Sequence, residues 1–253
     1  MRISVQLYSL REYLKTPESI EESLKKVARM GYEAVEVAGL GPIDASAFKE
    51  IADREGLIIS STHTGYDELL NNMDAVIERH QLWGCSYVGL GGLPVEFRGD
   101  AQGYAAFAKQ ASEFGKQLSA AGLKFNYHNH DFEFAKYGGK TAMDILLEES
   151  DPENVFFELD VYWAQAGGAD PIRWIRKLAG RIQTVHLKDM VVTPEREQRF
   201  AEIGEGNMNF EGILQACRES GIEWGIVEQD LTYERNPFDS LQMSLQNLSK
   251  LGF

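Results

Sequence analysis

Short apolar runs broken by single polar residues recur along the chain at even spacing. They are Ile3–Tyr8, Ala34–Val37, Leu57–Ser61, Tyr87–Leu90, Leu123–His128, Val155–Asp160, Ile182–Leu187 and Glu223–Glu228. Each has strand length, and each is followed by a stretch with the helical period. The helical stretches carry their own punctuation. Thr16-Pro17-Glu18 reads as an N-cap with proline at the first helical position, and that pattern stops at Gly31. Asp170-Pro171 repeats the device before Arg173–Ala179, which stops at Gly180. Asp44–Arg54, Tyr104–Ala121 and Phe210–Ser220 end at Gly56, Gly122 and Gly221, residues that accept the positive φ of a short helix-to-strand turn.

Eight strand–helix units in 253 residues give about 32 residues per unit, the size of one βα repeat. Alternating strands and helices predict a parallel sheet, and eight units predict its closure into a (β/α)8 TIM barrel, with residues 1–253 as one domain. An open doubly wound sheet would carry a phosphate loop after the first strand, and neither GxGxxG nor GxxxxGK[ST] follows it. Val191–Asn209, after strand seven, is the longest stretch without clear periodicity. In a barrel that position often serves ligands.

Composition narrows the class. Hydrophobic residues at 43% and charged residues at 25% exclude wholesale disorder. No apolar run reaches the ~20 residues of a membrane span. The start, MRISVQLYSLRE, alternates like a strand and lacks the continuous apolar core of a signal peptide. Cys85 and Cys217 form no metal or redox spacing and fit buried thiols in a reducing cytoplasm. A net charge of -14 argues against nucleic acid as a partner. The expected partner is a small molecule, with no membrane. No helix shows a long apolar stripe, so a monomer or homodimer is expected.

Barrel chemistry sits at the C-terminal ends of strands, and ionisable residues collect there. Of five histidines, His63, His128, His130 and His186 fall at or just past predicted strand ends; only His80 lies on a helix. Strand six ends Glu158-Leu159-Asp160, strand seven runs into His186-Leu187-Lys188-Asp189, and strand eight into Glu228-Gln229-Asp230. Four consecutive strands thus end in metal-competent side chains. The parity of strands allows His128, Asp160, His186 and Glu228 to converge, and two imidazoles with two carboxylates suit Mn2+, Fe2+, Co2+ or Zn2+. The same parity leaves Glu158 or His130 open as a ligand instead. Glu158 also reads as an interior carboxylate in a polar network.

These segments resemble the xylose-isomerase-like TIM barrels, the sugar phosphate isomerase/epimerase group. The resemblance is carried by QLYSLRE (Gln6–Glu12), STHTGYDEL (Ser61–Leu69), YHNHDFEF (Tyr127–Phe134), ELDVYW (Glu158–Trp163), HLKD (His186–Asp189), GEG (Gly204–Gly206) and VEQD (Val227–Asp230). It implies one divalent ion, and the mixed nitrogen and oxygen donors suit Mn2+ by preference, with Mg2+, Co2+, Fe2+ or Zn2+ as alternatives. It implies Asp160, His186 and Glu228 as three of its ligands. Where the family commonly places a glutamate on strand five, this chain has His128. That removes one negative charge from the ion's surroundings. It also removes one carboxylate from a two-glutamate epimerase device.

The expected activity is a divalent-metal-dependent isomerase or epimerase acting on a sugar or keto-sugar through a metal-stabilised enediolate. A lyase or dehydratase on keto-sugars or inososes would use the same site. An endonuclease IV-like nuclease fits poorly with five histidines and the acidic charge. Glu228 is expected as ligand and base, with Lys188 donating a proton to a substrate oxygen or holding it, and Glu158 as a further candidate catalytic group. The alternative for Lys188 is a salt bridge to Glu158 or Asp160 inside the barrel. His63 and His130 are expected to bind hydroxyls, and Tyr8 and Trp163 to cover the apolar face of a sugar. Gly204-Glu205-Gly206 offers backbone N–H groups that an anion could take.

Overall fold

A computed structural model describes residues 1–252. Eight parallel strands follow one another around a closed barrel: β1 Arg2–Gln6, β2 Ala34–Val37, β3 Ile58–His63, β4 Tyr87–Leu90, β5 Lys124–His128, β6 Val155–Asp160, β7 Ile182–Leu187 and β8 Trp224–Val227. β8 pairs back onto β1 in register Ile3 to Gly225, which closes the sheet. Helices follow every strand and coat the outside, from Pro17–Met30 after β1 to Pro237–Lys250 after β8. This is a (β/α)8 TIM barrel.

The caps read from sequence form as expected. The Thr16 side chain accepts the Ser19 N–H while Ser19 bonds back to the Thr16 backbone, and Gly31 closes that helix at φ 101°. The main apolar core lies between sheet and helices and includes Val27, Phe48, Phe107, Phe114, Phe125, Phe157 and Ile175. Inside the barrel the packing differs. Ala34, Tyr87, Trp224 and Ile226 form a small separate plug from residues at or near the strand starts. Beyond it the interior is polar: Ser4, Gln6, Glu36, Asn126, Glu158, Thr184 and His186 are all buried. Asn126 donates to Thr184 and Ser4 bonds Ser60, while Asn126 Oδ1, Glu36 Oε1 and Glu158 Oε1 are buried without a protein partner.

The register of the barrel sheet slips at β2–β3 and at β6–β7. β2 pairs with β3 as Val35 to Ile59 and then Glu36 to Ser61. β6 pairs with β7 as Phe157 to Ile182 and then Glu158 to Thr184. Each slip falls beside an interior glutamate, with the extra residue, Ser60 or Gln183, on the partner strand.

The structure corrects three readings. β1 stops at Gln6, not Tyr8; a 3-10 helix, Leu7–Tyr13, takes over because the Gln6 side chain accepts the Tyr8 N–H and Leu7 and Leu10 turn into the core. The helix read as Tyr104–Ala121 begins at Ala101, because Asp100 caps it by accepting the Gly103 N–H. The stretch Val191–Asn209 is not irregular: Asp189–Val192 and Gln198–Ala201 pair as an antiparallel hairpin. Cys85 and Cys217 are buried free thiols, as expected. Among the described residues, no helix is long and apolar enough to cross a membrane.

Candidate active site

The C-terminal mouth of the barrel opens on a cavity of about 370 Å3 lined by Tyr8, His63, His128, His130, Lys188, Glu228 and Asp230 with small residues between them. His128 ends β5, Asp160 ends β6, His186 lies on β7 and Glu228 follows β8, so four neighbouring strands deliver the four groups. One ligand atom from each lies within 4.8 Å of all the others, and all four residues are buried. Ligands ~2.1 Å from one ion span at most about 4.2 Å, so a single small cation would draw these atoms in by a few tenths of an ångström.

The electrostatics of His128, Asp160 and Glu228 agree with the chemistry of that donor set, and His186, held charged by the carboxylates around it, would give up a proton on binding an ion. Burial, aided by the neighbouring His186, pushes His128 down to about 3, so it is a neutral imidazole. Its Nδ1 is buried and has no hydrogen-bond partner. Burial pushes Asp160 up, but the Lys188 ammonium and His128 outweigh it and hold the carboxyl at about 2. Burial likewise opposes ionisation of Glu228, yet Lys188 and His186 hold it well below the usual carboxylate range. A neutral nitrogen and two firmly ionised carboxylates are what a divalent ion requires of its ligands.

Lys188 is tied into the same cluster. Its Nζ donates to Asp160 Oδ2 at 2.9 Å, Glu228 Oε2 at 2.6 Å and Asp230 Oδ2 at 2.9 Å. Burial alone would lower it, but these three carboxylates hold it protonated, well above an ordinary lysine. The expected salt bridge therefore forms to Asp160 and not to Glu158, which faces the opposite side of the His186 ring.

His186 is fully buried, with a carboxylate on each side. Nδ1 faces Glu228 Oε2 at 2.8 Å and Asp160 Oδ2 at 3.8 Å. Nε2 faces Glu36 Oε2 at 2.6 Å and Glu158 Oε2 at 3.2 Å. Burial disfavours its charge, but Glu158, Glu36 and Glu228 together raise it well above an ordinary histidine. An imidazole so placed is part of the interior's charge balance, and its removal strands Glu36. Glu158 also accepts from His63 Nε2 at 2.7 Å, so its carboxylate lies beneath the cavity and not in its wall. Of the two inner glutamates, Glu36 is the one pushed up, by burial and by Glu158 beside it.

His63 stacks on His186 at 5.2 Å, nearly parallel, and a Cβ on Gly91 would come 2.7 Å from His63 Nδ1. His130 stacks on Phe132 at 5.6 Å, and its backbone N–H is held by Glu133. Burial pushes His130 down to about 4, and its Nδ1 has no protein partner. Trp163 packs on His130 at 5.4 Å without joining the cavity lining, so it backs the wall. Tyr8 lines the cavity and is 40% exposed.

Sequence reasoning missed Glu36, Asp230 as a partner of Lys188, and Gly91. A lone carboxylate in the four-residue strand AVEV was the available signal for Glu36. The anion expected at Gly204–Gly206 is also accounted for from within. Asp189 Oδ2 accepts the Gly204 and Gly206 N–H groups at 2.9 and 3.1 Å, and Oδ1 those of Met190 and Met208 at 2.7 and 3.2 Å.

Known proteins resemble this chain in sequence and fold. The chain is 25% identical to an inosose dehydratase of Clostridium beijerinckii, over 93% of this chain and 91% of that protein. It is 24% identical to an inosose dehydratase of Lacticaseibacillus casei, over 87% and 86%. The solved structure of a sugar phosphate isomerase/epimerase from Parabacteroides distasonis superimposes with a TM-score of 0.82 at 26% identity, covering 98% of each chain. The family profile described as xylose isomerase-like TIM barrel matches residues 24–248. The chain belongs to the xylose isomerase-like TIM barrel family.

Proposed function

We propose that this chain is a divalent-metal-dependent enzyme acting on polyhydroxy carbonyl compounds, and that its reaction is removal of water. His128, Asp160, His186 and Glu228 would hold the ion, Mn2+ by preference for mixed nitrogen and oxygen ligands. Once bound, the ion would act as a Lewis acid toward adjacent carbonyl and hydroxyl oxygens.

The observation that carries the reading is the pairing of Glu228 with Lys188. Glu228 lines the cavity, and only its Oε2 is engaged, by His186 and Lys188. It takes a proton from the carbon next to the carbonyl. Lys188 also lines the cavity and carries a proton. It gives that proton to the departing hydroxyl, which leaves as water while the C–C double bond forms. One carboxylate base beside one ammonium acid suits elimination. A cation among Asp160 and Glu228 relieves the charge that holds Lys188 protonated, which makes it a better acid. His63 and His130 bind hydroxyls, and Tyr8 covers an apolar face of the substrate. The full-length similarity to two inosose dehydratases supports a cyclic keto-polyol as substrate.

Isomerisation or epimerisation is the second reading, supported by the Parabacteroides neighbour. His128 weighs against its two-carboxylate form, because strand five offers an imidazole where a second base would stand. Incubation of the metal-loaded protein with inososes and keto-sugars in D2O separates the two. Loss of one water gives the lyase. Deuterium on the substrate carbon with no water lost gives the isomerase or epimerase, and overturns the first reading.

A further inference from the structure

We infer that Gln6 and Glu36 are positioning residues that set which nitrogen of His186 faces the metal site; the inference rests on the metal centre proposed above. Hydrogen-bond polarity propagates from a group that has only one option. The Tyr8 backbone N–H can only donate, and it donates to Gln6 Oε1 at 3.1 Å. That fixes the Gln6 amide, so its Nε2 faces Glu36 and donates to Oε2 at 2.5 Å. Glu36 Oε2 accepts this bond, and when Glu36 is ionised it also accepts from the His186 Nε2 that lies 2.6 Å away. Nδ1 faces Asp160 and Glu228, where a bound ion would take the place of its hydrogen.

All the side chains in this relay are buried. Gln6, Glu36 and His186 each show no exposure, so water cannot compete for the bonds. Glu36 lies on the same face of β2 as the plug residue Ala34 and reaches His186 across the barrel, since β2 and β7 are not neighbours in the sheet. A histidine ligand whose second nitrogen donates to a carboxylate is held in one tautomer and one orientation, and its basicity toward the metal rises. Here the carboxylate is itself held in its accepting role by an amide clamped to the backbone. Glu158 is the weaker acceptor for His186, at 3.2 Å, and its shorter bond goes to His63.

Glu36→Gln tests this, because its amide can present an N–H to His186 Nε2 and reverse the relay. We expect Zn2+ and Mn2+ to bind the variant 10- to 100-fold more weakly by titration calorimetry. Glu36→Asp should recover part of that loss, and Glu158→Gln should cost less. In the Zn2+-loaded wild type, 15N–1H long-range NMR should show His186 protonated at Nε2 and bound through Nδ1. This measurement stands even if the variants fail to fold. Binding through Nε2, or a Glu36→Gln variant with wild-type affinity, overturns the inference and leaves the metal centre standing. Two ions per chain, the second lost in Glu36→Gln, also overturns it, making Glu36 a ligand. A wild type that binds no divalent ion takes down both.

Discussion

Lys188→Met removes the one ammonium that sits among three carboxylates. Each contact, at 2.6 to 2.9 Å, represents about 6 kcal/mol of gross attraction at an effective dielectric near 20. Desolvation of the ions opposes that gain by several kcal/mol each, so the gross sum is not the net contribution. The variant's cost comes from what stays behind. Asp160 and Glu228, 0% and 5% exposed, lose their cation and stay in the interior. Stranding buried charges of this kind costs about 3–5 kcal/mol. For a chain of this length that lowers Tm by about 10 °C. A divalent ion supplies the missing charge, and at a hundred times its Kd it contributes about 2.7 kcal/mol. In the wild type the ion must first share Asp160 and Glu228 with Lys188, so its stabilising effect is smaller there. Calorimetric melts of both proteins, in EDTA and in excess Mn2+, measure each quantity. A metal-free variant melting within about 2 °C of wild type, or equal metal-induced rises in the two proteins, refutes this role for Lys188.

His80 should give the protein an acid-sensitive window. It is buried, its ring bonded to Val76 O and Thr62 Oγ1, and burial pushes it down to about 4. The unfolded chain therefore binds more protons between pH 6.5 and 4. The stability is full above about 6.5 and falls by up to roughly 3 kcal/mol as pH drops to 4; His80→Gln should flatten that slope in urea titrations. Gly91→Ala should cut turnover at least tenfold with the melting curve little changed, since the new methyl group meets His63 Nδ1. His128→Glu restores the carboxylate absent from strand five, and deuterium exchange without water loss should rise relative to elimination. His186→Ala should abolish metal binding, and because the ring bonds Glu36 in the interior it should also lower Tm measurably.

The barrel is legible because its units repeat: strand-like runs recur eight times and terminal glycines close five of the helical stretches, so an error at one boundary does not propagate. The errors that did occur are local. Tyr8 looked like strand because LYSL alternates, and only the Gln6 side chain reveals the turn. The hairpin after strand seven hides because its order depends on Asp189 gathering four N–H groups from residues spread over Met190–Met208. In the site, strand-end parity allows His128, Asp160, His186 and Glu228 to meet, since each needs only its own strand to place it, and it leaves Glu158 and His130 open beside them. Glu36 was not legible in that way. Its partner His186 lies 150 residues along the chain, on a strand that is not its neighbour in the sheet, so nothing in AVEV announces the contact.

The separation of the apolar core from the polar barrel interior has an evolutionary consequence. The side chains that hold the fold lie outside the sheet, under the helices, while those that select chemistry lie inside it. Selection can therefore rewrite one set and leave the other alone. A lineage can exchange an imidazole for a carboxylate at the end of β5 and alter its reaction with no repacking of Phe107, Phe114 or Phe125. A shared backbone with a TM-score of 0.82 at 26% identity is the trace such a division leaves. Innovation in this scaffold is inexpensive along the barrel axis and constrained everywhere else.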